Sequence, residues 1–216
     1  MPICISSFIN VSFPDSLSLI KDITFNREYK SITGYYKGVK VMAISTGMGG
    51  PSVAIGVEEL ANIGVKAMIR IGSCGALRDG IKLGDLVIVN GAVRDDGASK
   101  SYIESIYPAI PDTELLCDVI EAAKNMDYPY HVGIGRSHDC LYGDPKGELD
   151  AYWGSKGVIS SDMETSTLFV VGGLRGVKTA SILNNPKFSG IENTIGNLID
   201  VSNEYSLALS TSLGGA

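Results

Sequence analysis

Short apolar runs closed by glycine or small polar residues recur along this chain, and their periods separate strands from helices. Pro2 to Val11 is apolar and β-branched and predicts a buried first strand, broken by Ser12-Phe13-Pro14-Asp15-Ser16. Leu17 to Ile23 then reads as a short helix. Asn26 to Ile32 and Tyr35 to Ile44 read as strands around Gly34 and Gly38, a hairpin signal. Val53, Val57 and Leu60 recur at helical spacing with Glu58 and Glu59 turned the other way, which predicts a helix over 52–62. Strands follow at 65–71 and Leu86 to Asn90, then a long aperiodic loop from Gly91 to Pro111. Asp112 to Asn125 is a helix with Asp112 as its cap. Tyr130 to Gly135 is a strand, and Val158-Ile159 begins another pairing region. Thr165 to Leu174 reads as an apolar helix, Thr179 to Leu183 as a strand and Thr194 to Thr211 as a closing helix. Alternating strands and helices with a hairpin predict an α/β fold, a mixed sheet with helices packed around it.

Composition narrows the function. A chain of 216 residues with no repeat or linker is read as one domain, 1–216, and 44% hydrophobic content with 26 glycines suits a compact enzyme. A formal charge of −6 argues against nucleic acid or an anionic membrane as partner. Cys4, Cys74, Cys117 and Cys140 are widely spread beside only two histidines, so neither a disulfide framework nor a metal site is expected. With no basic leader and no apolar run near the ~20 residues of a membrane span, the expectation is a soluble cytoplasmic protein.

The chemistry concentrates between Ser45 and Gly75. In Ile69-Arg70-Ile71-Gly72-Ser73-Cys74-Gly75 an arginine sits in an apolar strand pattern that breaks into small residues. An unpaired buried guanidinium is very costly. Arg70 is therefore either paired with a structural carboxylate or a fork for an oxyanion, and this stretch alone leaves both open. Upstream, Ser45-Thr46-Gly47-Met48-Gly49-Gly50-Pro51-Ser52 joins a strand to a helix start, a ready site for an anion or polar ligand. Two such turns, each closing a strand, favour a binding site at the strand ends.

Together with Glu58-Glu59-Leu60, Asp162-Met163-Glu164, Asn26-Arg27-Glu28-Tyr29 and the run Gly91 to Ser99, these motifs resemble the nucleoside phosphorylase family of uridine phosphorylases and hexameric purine nucleoside phosphorylases. The resemblance covers nearly the whole chain from about Phe13. It implies a mixed central sheet, curled like a distorted barrel and surrounded by helices. The implied reaction is phosphorolysis of a nucleoside to free base and ribose 1-phosphate, a pentosyl transfer with inorganic phosphate as co-substrate and no cofactor or metal. The resemblance assigns phosphate binding to Arg70 and Ser73, with Arg27 supplied by a neighbouring subunit of a homo-oligomer, at least a dimer and in the family pattern a hexamer. Glu164 falls on the sugar-binding glutamate, with Met163 against the ribose. Arg70 and Glu164 are thus the catalytic pair, and Cys74, Gly75, Leu141 and Asp162 fall at the base. Without the other motifs, Asp162-Met163-Glu164 would read equally as an acidic helix start.

Four departures from the family pattern shape the expectation. Ser12-Phe13-Pro14-Asp15-Ser16 stands where the family has a glycine and an arginine of the phosphate cradle. The chain begins almost on its first strand, short of the extension that carries a histidine to the sugar, and His131 and His138 lie elsewhere. Leu141, Pro145 and Gly147 replace the aromatic, glutamine and arginine that contact uracil in uridine phosphorylases, leaving Lys146 or Asp144 as polar candidates. Asn184-Asn185-Pro186-Lys187 offers no counterpart to the aspartate that protonates a purine. The expected order is a uridine phosphorylase-like enzyme, then a purine nucleoside phosphorylase, then a degenerate nucleoside-binding member with little phosphorolysis, since fold alone does not fix activity.

Overall fold

The computed structural model describes residues 2–6, 18–36, 38–126, 128–143 and 145–185. Among the described residues ten strands form one sheet: β1 (Pro2–Ser6), β2 (Ser18–Asn26), β3 (Tyr29–Tyr36), β4 (Val39–Ser45), β5 (Ala67–Ser73), β6 (Gly75–Ala76), β7 (Leu86–Asp95), β8 (Tyr130–His138), β9 (Val158–Asp162) and β10 (Lys178–Asn184). The described helices are α1 (Gly50–Asn62), α2 (Gly97–Tyr102), α3 (Thr113–Asn125), α4 (Lys146–Ser155) and α5 (Thr165–Leu174). The strand order is β2-β3-β4-β1-β5-β10-β7-β8-β9-β6, with parallel and antiparallel pairs mixed. Only Cys74 separates β5 from β6, and β6 pairs with β9. The sheet therefore curls until β9 meets the continuation of β5, a barrel-like closure.

Alternation within the strands builds two cores. Ala67, Ile69, Ile71, Leu86, Ile88, Ala180 and Ile182 face α3, whose Leu115, Val119, Ala122 and Ala123 complete that cluster. Met68, Val87, Val89 and Leu183 face the opposite way, onto Val53, Val57 and Leu60 of α1 and Leu168 to Val171 of α5. Buried on nearly every face, α5 reads as continuously apolar rather than amphipathic. A Cβ on Gly172 would lie 2.3 Å from Thr179 Cγ2, so only glycine lets α5 sit this close to β10.

Several sequence expectations change. Leu17 to Ile23 is not helical over its described part: 18–23 belong to β2, an edge strand paired with β3 through two register shifts. Leu19, Ile20 and Ile23 imitate helical spacing, but hairpin pairing and the β-branched Ile20, Ile23 and Thr24 favour extended backbone. The strand continues through Gly34, and the β3–β4 turn falls at Gly38, whose φ is +82°. Within the supposed 91–111 loop, β7 runs on to Asp95 against β8, and Asp96 caps α2 by accepting from Ser99 N. The sequence reading has no helix at α4, where glycines at both ends and a mixed surface hide the period. Asp112 does cap α3, accepting from Leu115 N at 2.9 Å. The expected 194–211 helix and the Ser12–Ser16 loop lie outside the described residues.

Candidate active site

Arg70 shares the β5 face of Met68 and Gly72, which turns toward α1 and α5, and it is only 1% exposed. Its Nε donates to Asp162 Oδ2 at 3.1 Å and its Nη2 to Glu164 Oε2 at 2.5 Å. Gly72 makes room for this pose. A Cβ there would fall 2.6 Å from Arg70 Cζ, so the guanidinium lies across the glycine backbone. Burial works against the charge of Arg70, but the Glu164 and Asp162 carboxylates outweigh it and raise its pKa above the ordinary arginine value.

The two carboxylates come from the junction of β9 and α5, brought to Arg70 by barrel closure across more than ninety residues. Asp162 Oδ2 also accepts from Thr165 N at 3.0 Å and Thr165 Oγ1 at 2.5 Å, as a helix-start carboxylate does. Its Oδ1 accepts from Ser137 Oγ of β8 at 2.6 Å. Glu164 Oε1 accepts from Gly49 N at 2.6 Å, and Met163 N lies 3.3 Å from Oε2. Two buried carboxylates share one guanidinium here. Burial pushes the Glu164 carboxyl above the usual carboxylate range, Asp162 adds to the shift, and Arg70 opposes it.

The glycine-rich turn between β4 and α1 closes the constellation. Gly49, with φ +92°, precedes α1 and points its N–H at Glu164. Gly47, with φ +66°, lies against the β2–β3 turn, where a Cβ would come within 2.8 Å of Glu28 Cγ. Glu28 Oε1 accepts from Ser52 Oγ at 2.6 Å, and Tyr29 OH donates to Ser52 O at 2.8 Å. Arg27, next to Glu28, has φ +54° and is exposed. It makes no hydrogen bond or salt bridge with another described residue, so the structure does not bring it to Arg70 within one chain.

The model of the phosphorylase superfamily covers residues 5–184. The chain belongs to the phosphorylase superfamily. It is 41% identical over 174 residues to a uridine phosphorylase of Thermococcus kodakarensis, an alignment covering 75% of this chain and 63% of that protein. A guanosine phosphorylase of Halorubrum lacusprofundi is 38% identical over 157 residues, covering 73% and 65%. The chain thus spans a little under two thirds of these relatives' length. The crystal structure of a uridine phosphorylase from Vibrio fischeri superposes with a TM-score of 0.80 at 40% identity, covering 98% of this chain and 88% of that one.

The other predicted positions of this phosphorylase-superfamily chain fall around the same junction. Ser73 ends β5, half-buried, in register with Asn184 of β10. Cys74 donates its backbone N–H to Asn184 O, and burial pushes its thiol up to about 12, which makes it an inert wall. Gly75 pairs with Ser161, and Met163 is half-buried between the two carboxylates in sequence. Leu141 stands 45% exposed on the loop after β8. The structure therefore unites Arg70, Asp162 and Glu164 directly and leaves Arg27 and Leu141 facing outward. Side chains behind them, unassigned by sequence reasoning, set the geometry. Ser137 holds Asp162 and accepts from Ser166 N at 2.9 Å. Buried Asp96 takes Ser166 Oγ and Thr167 Oγ1, tying α2 to α5. Arg94 donates to four carbonyls between Ser99 and Tyr107 and so fixes that connection. Its signal is the one that marks Arg70: an arginine within a strand of apolar and small residues. Among the described residues no acidic, histidine or cysteine cluster suited to a metal is present, and no helix is long and apolar enough to cross a membrane.

Proposed function

We propose that this chain cleaves the N-glycosidic bond of a nucleoside with inorganic phosphate, releasing free base and ribose 1-phosphate, with uridine preferred. The observation that carries this reading is Arg70 buried at a strand end between Asp162 and Glu164, with Glu164 also on Gly49 N. In the reaction the C1′–N bond breaks toward the base, positive charge builds on the ribose, and a phosphate oxygen bonds to C1′. Arg70, with Ser73, holds the dianion, and Glu164 accepts hydrogen bonds from the sugar hydroxyls. Both act on charge and position, the two largest levers available to such a site. Asn184 supports the pyrimidine preference: it ends β10 as an amide whose Nδ2 donates to Gly84 O, so at this position an amide stands where a purine-protonating carboxylate is required. The named relative acting on guanosine keeps the purine reading as the second choice. A role in nucleoside salvage in the cytoplasm follows from this reading.

The test is a nucleoside panel with and without phosphate. Ribose 1-phosphate should form only with phosphate present, and kcat/KM for uridine should exceed that for inosine. The reverse order would favour the purine reading, and cleavage indifferent to phosphate would overturn both.

The same reading makes the protein a homo-oligomer in which Arg27 serves a neighbouring site. Two observations support it. Edge strand β2 exposes Leu19, Ile20, Ile23 and Phe25, a surface that favours pairing with another copy. The Arg27 turn is braced by Glu28 and Tyr29 against Ser52, yet Arg27 itself faces outward. A two-fold interface would give each site a second cation. Mixing inactive Arg27→Ala and Arg70→Ala proteins after dissociation should restore part of the activity, because mixed dimers contain one intact site. No recovery in demonstrably mixed oligomers would remove the trans assignment.

A further inference from the structure

Asp162 and Glu164 both touch the Arg70 guanidinium, yet they are held in different ways. Among the described residues, apart from Arg70, Glu164 is held by main-chain donors alone, Gly49 N at 2.6 Å and Met163 N at 3.3 Å. Asp162 is enclosed by four protein donors: Arg70 Nε, Thr165 N and Thr165 Oγ1 on Oδ2, and Ser137 Oγ on Oδ1. Those donors are themselves fixed. Ser137 Oγ accepts from Ser166 N, and Thr165 Oγ1 lies 2.9 Å from Ser181 Oγ of β10. A carboxylate offers about four lone-pair sites. Three protein donors crowd Asp162 Oδ2 and one occupies Oδ1, and the side chain is only 2% exposed, so it presents almost no surface to a base or a sugar.

We infer that Asp162 is a positioning residue for Arg70, gripping the guanidinium from the end of β9 and itself braced from β8, α5 and β10, rather than the base contact that the family resemblance assigns to it. The inference rests on the phosphorolysis reading above. Glu164 is the contact a sugar diol can draw on, whereas Asp162 stays as the counter-ion that keeps the buried guanidinium charged and oriented. An arginine side chain has many rotamers, and a site works only if its donors sit where the ligand's oxygens arrive. One effect opposes this: the Asp162 charge also repels a phosphate dianion. That charge is spread over four donors, one of them the guanidinium itself, so orientation decides the outcome.

Asp162→Asn preserves size and keeps one oxygen to accept from Thr165 N. It should raise the KM for phosphate about tenfold or more, the scale on which misplaced binding groups act, while the nucleoside KM stays within about twofold. Ser137→Ala, which leaves the carboxylate in place, should shift the phosphate KM in the same direction by less. Calorimetric titration of the wild type with inorganic phosphate and the melting temperature of each variant complete the measurement. A change in nucleoside KM or in the uridine-to-inosine ratio, with phosphate KM unmoved, would make Asp162 a base contact. A lowered melting temperature with both KM values unchanged would make it structural only, and a lower phosphate KM would show that repulsion dominates. Each of these overturns the positioning role alone. Wild-type protein that binds no phosphate would instead fail the functional reading.

Discussion

Arg70→Ala should lower kcat/KM for phosphate-dependent cleavage by about a thousandfold, or about 4 kcal/mol of transition-state binding. The guanidinium is the one cation the described fold buries at this junction, and in the proposed reaction it holds phosphate there while charge develops on the ribose. Removing it also strands Asp162 and Glu164 in the interior, and an uncompensated buried charge costs about 3–5 kcal/mol of stability. Arg70→Gln, whose neutral amide still donates to one carboxylate, separates the two effects. It should stay folded at temperatures where Arg70→Ala is marginal, yet remain nearly inactive. Arg70→Lys should also fail to rescue, because one ammonium cannot reproduce a planar fork on two partners. Steady-state kinetics on variants checked by circular dichroism decide the matter. A folded Arg70→Gln protein within tenfold of wild-type turnover would sink the assignment.

Glu164→Gln should discriminate between sugars. The glutamate accepts with both oxygens, from Gly49 N and Arg70 Nη2, and can accept more from a diol. Glutamine offers one oxygen, and its amide must turn N–H groups toward either Gly49 N–H or the guanidinium. That mismatch lowers turnover on every substrate. If Glu164 holds the sugar as proposed, the charge-assisted bonds to the 2′- and 3′-hydroxyls are lost in addition, and a ribonucleoside loses one more than a 2′-deoxyribonucleoside. With a charged hydrogen bond worth about 1 kcal/mol more than a neutral one, the ratio of kcat/KM for uridine over 2′-deoxyuridine should fall roughly fivefold. Equal losses on both sugars would make Glu164 a structural partner of Arg70 and nothing more.

The sequence displays the charged members of the site because charge interrupts an apolar pattern. Arg70 within Ala67–Ser73, and Glu164 before an unbroken apolar helix, stand out on that ground. What orients them does not stand out. Ser137, Thr165 and the Gly49 N–H are small or main-chain groups without periodic signal, and their partners lie 25 or more residues away in sequence except within the α5 start. The two open readings of Arg70, structural pair or oxyanion fork, proved not to exclude one another: the structure shows the pair, and the fork is the functional proposal. The α/β class and the elements with clean periods, α1, α3, α5 and β10, were legible. Elements decided by pairing or interrupted by glycine, β2, the end of β7, α2 and α4, were not.

The join between β6 and β9 is short, just Gly75 with Ser161 and Ala76 with Ser160, extended by Leu77 N on Ile159 O. Gly154 of α4 lies so close to Leu77 O that a Cβ would come within 2.5 Å, so this helix lies directly over the join. Every other boundary of the ring, β5 with β10, β10 with β7, β7 with β8 and β8 with β9, is paired over more residues. The ring is therefore weakest where it closes, and breaching that seam parts Arg70 from Asp162 and Glu164 while most of the sheet stays paired. Local opening of this kind requires far less free energy than global unfolding. On warming, the protein should part Arg70 from its two carboxylates at the seam first, and loss of the proposed activity should run ahead of the melting of the fold.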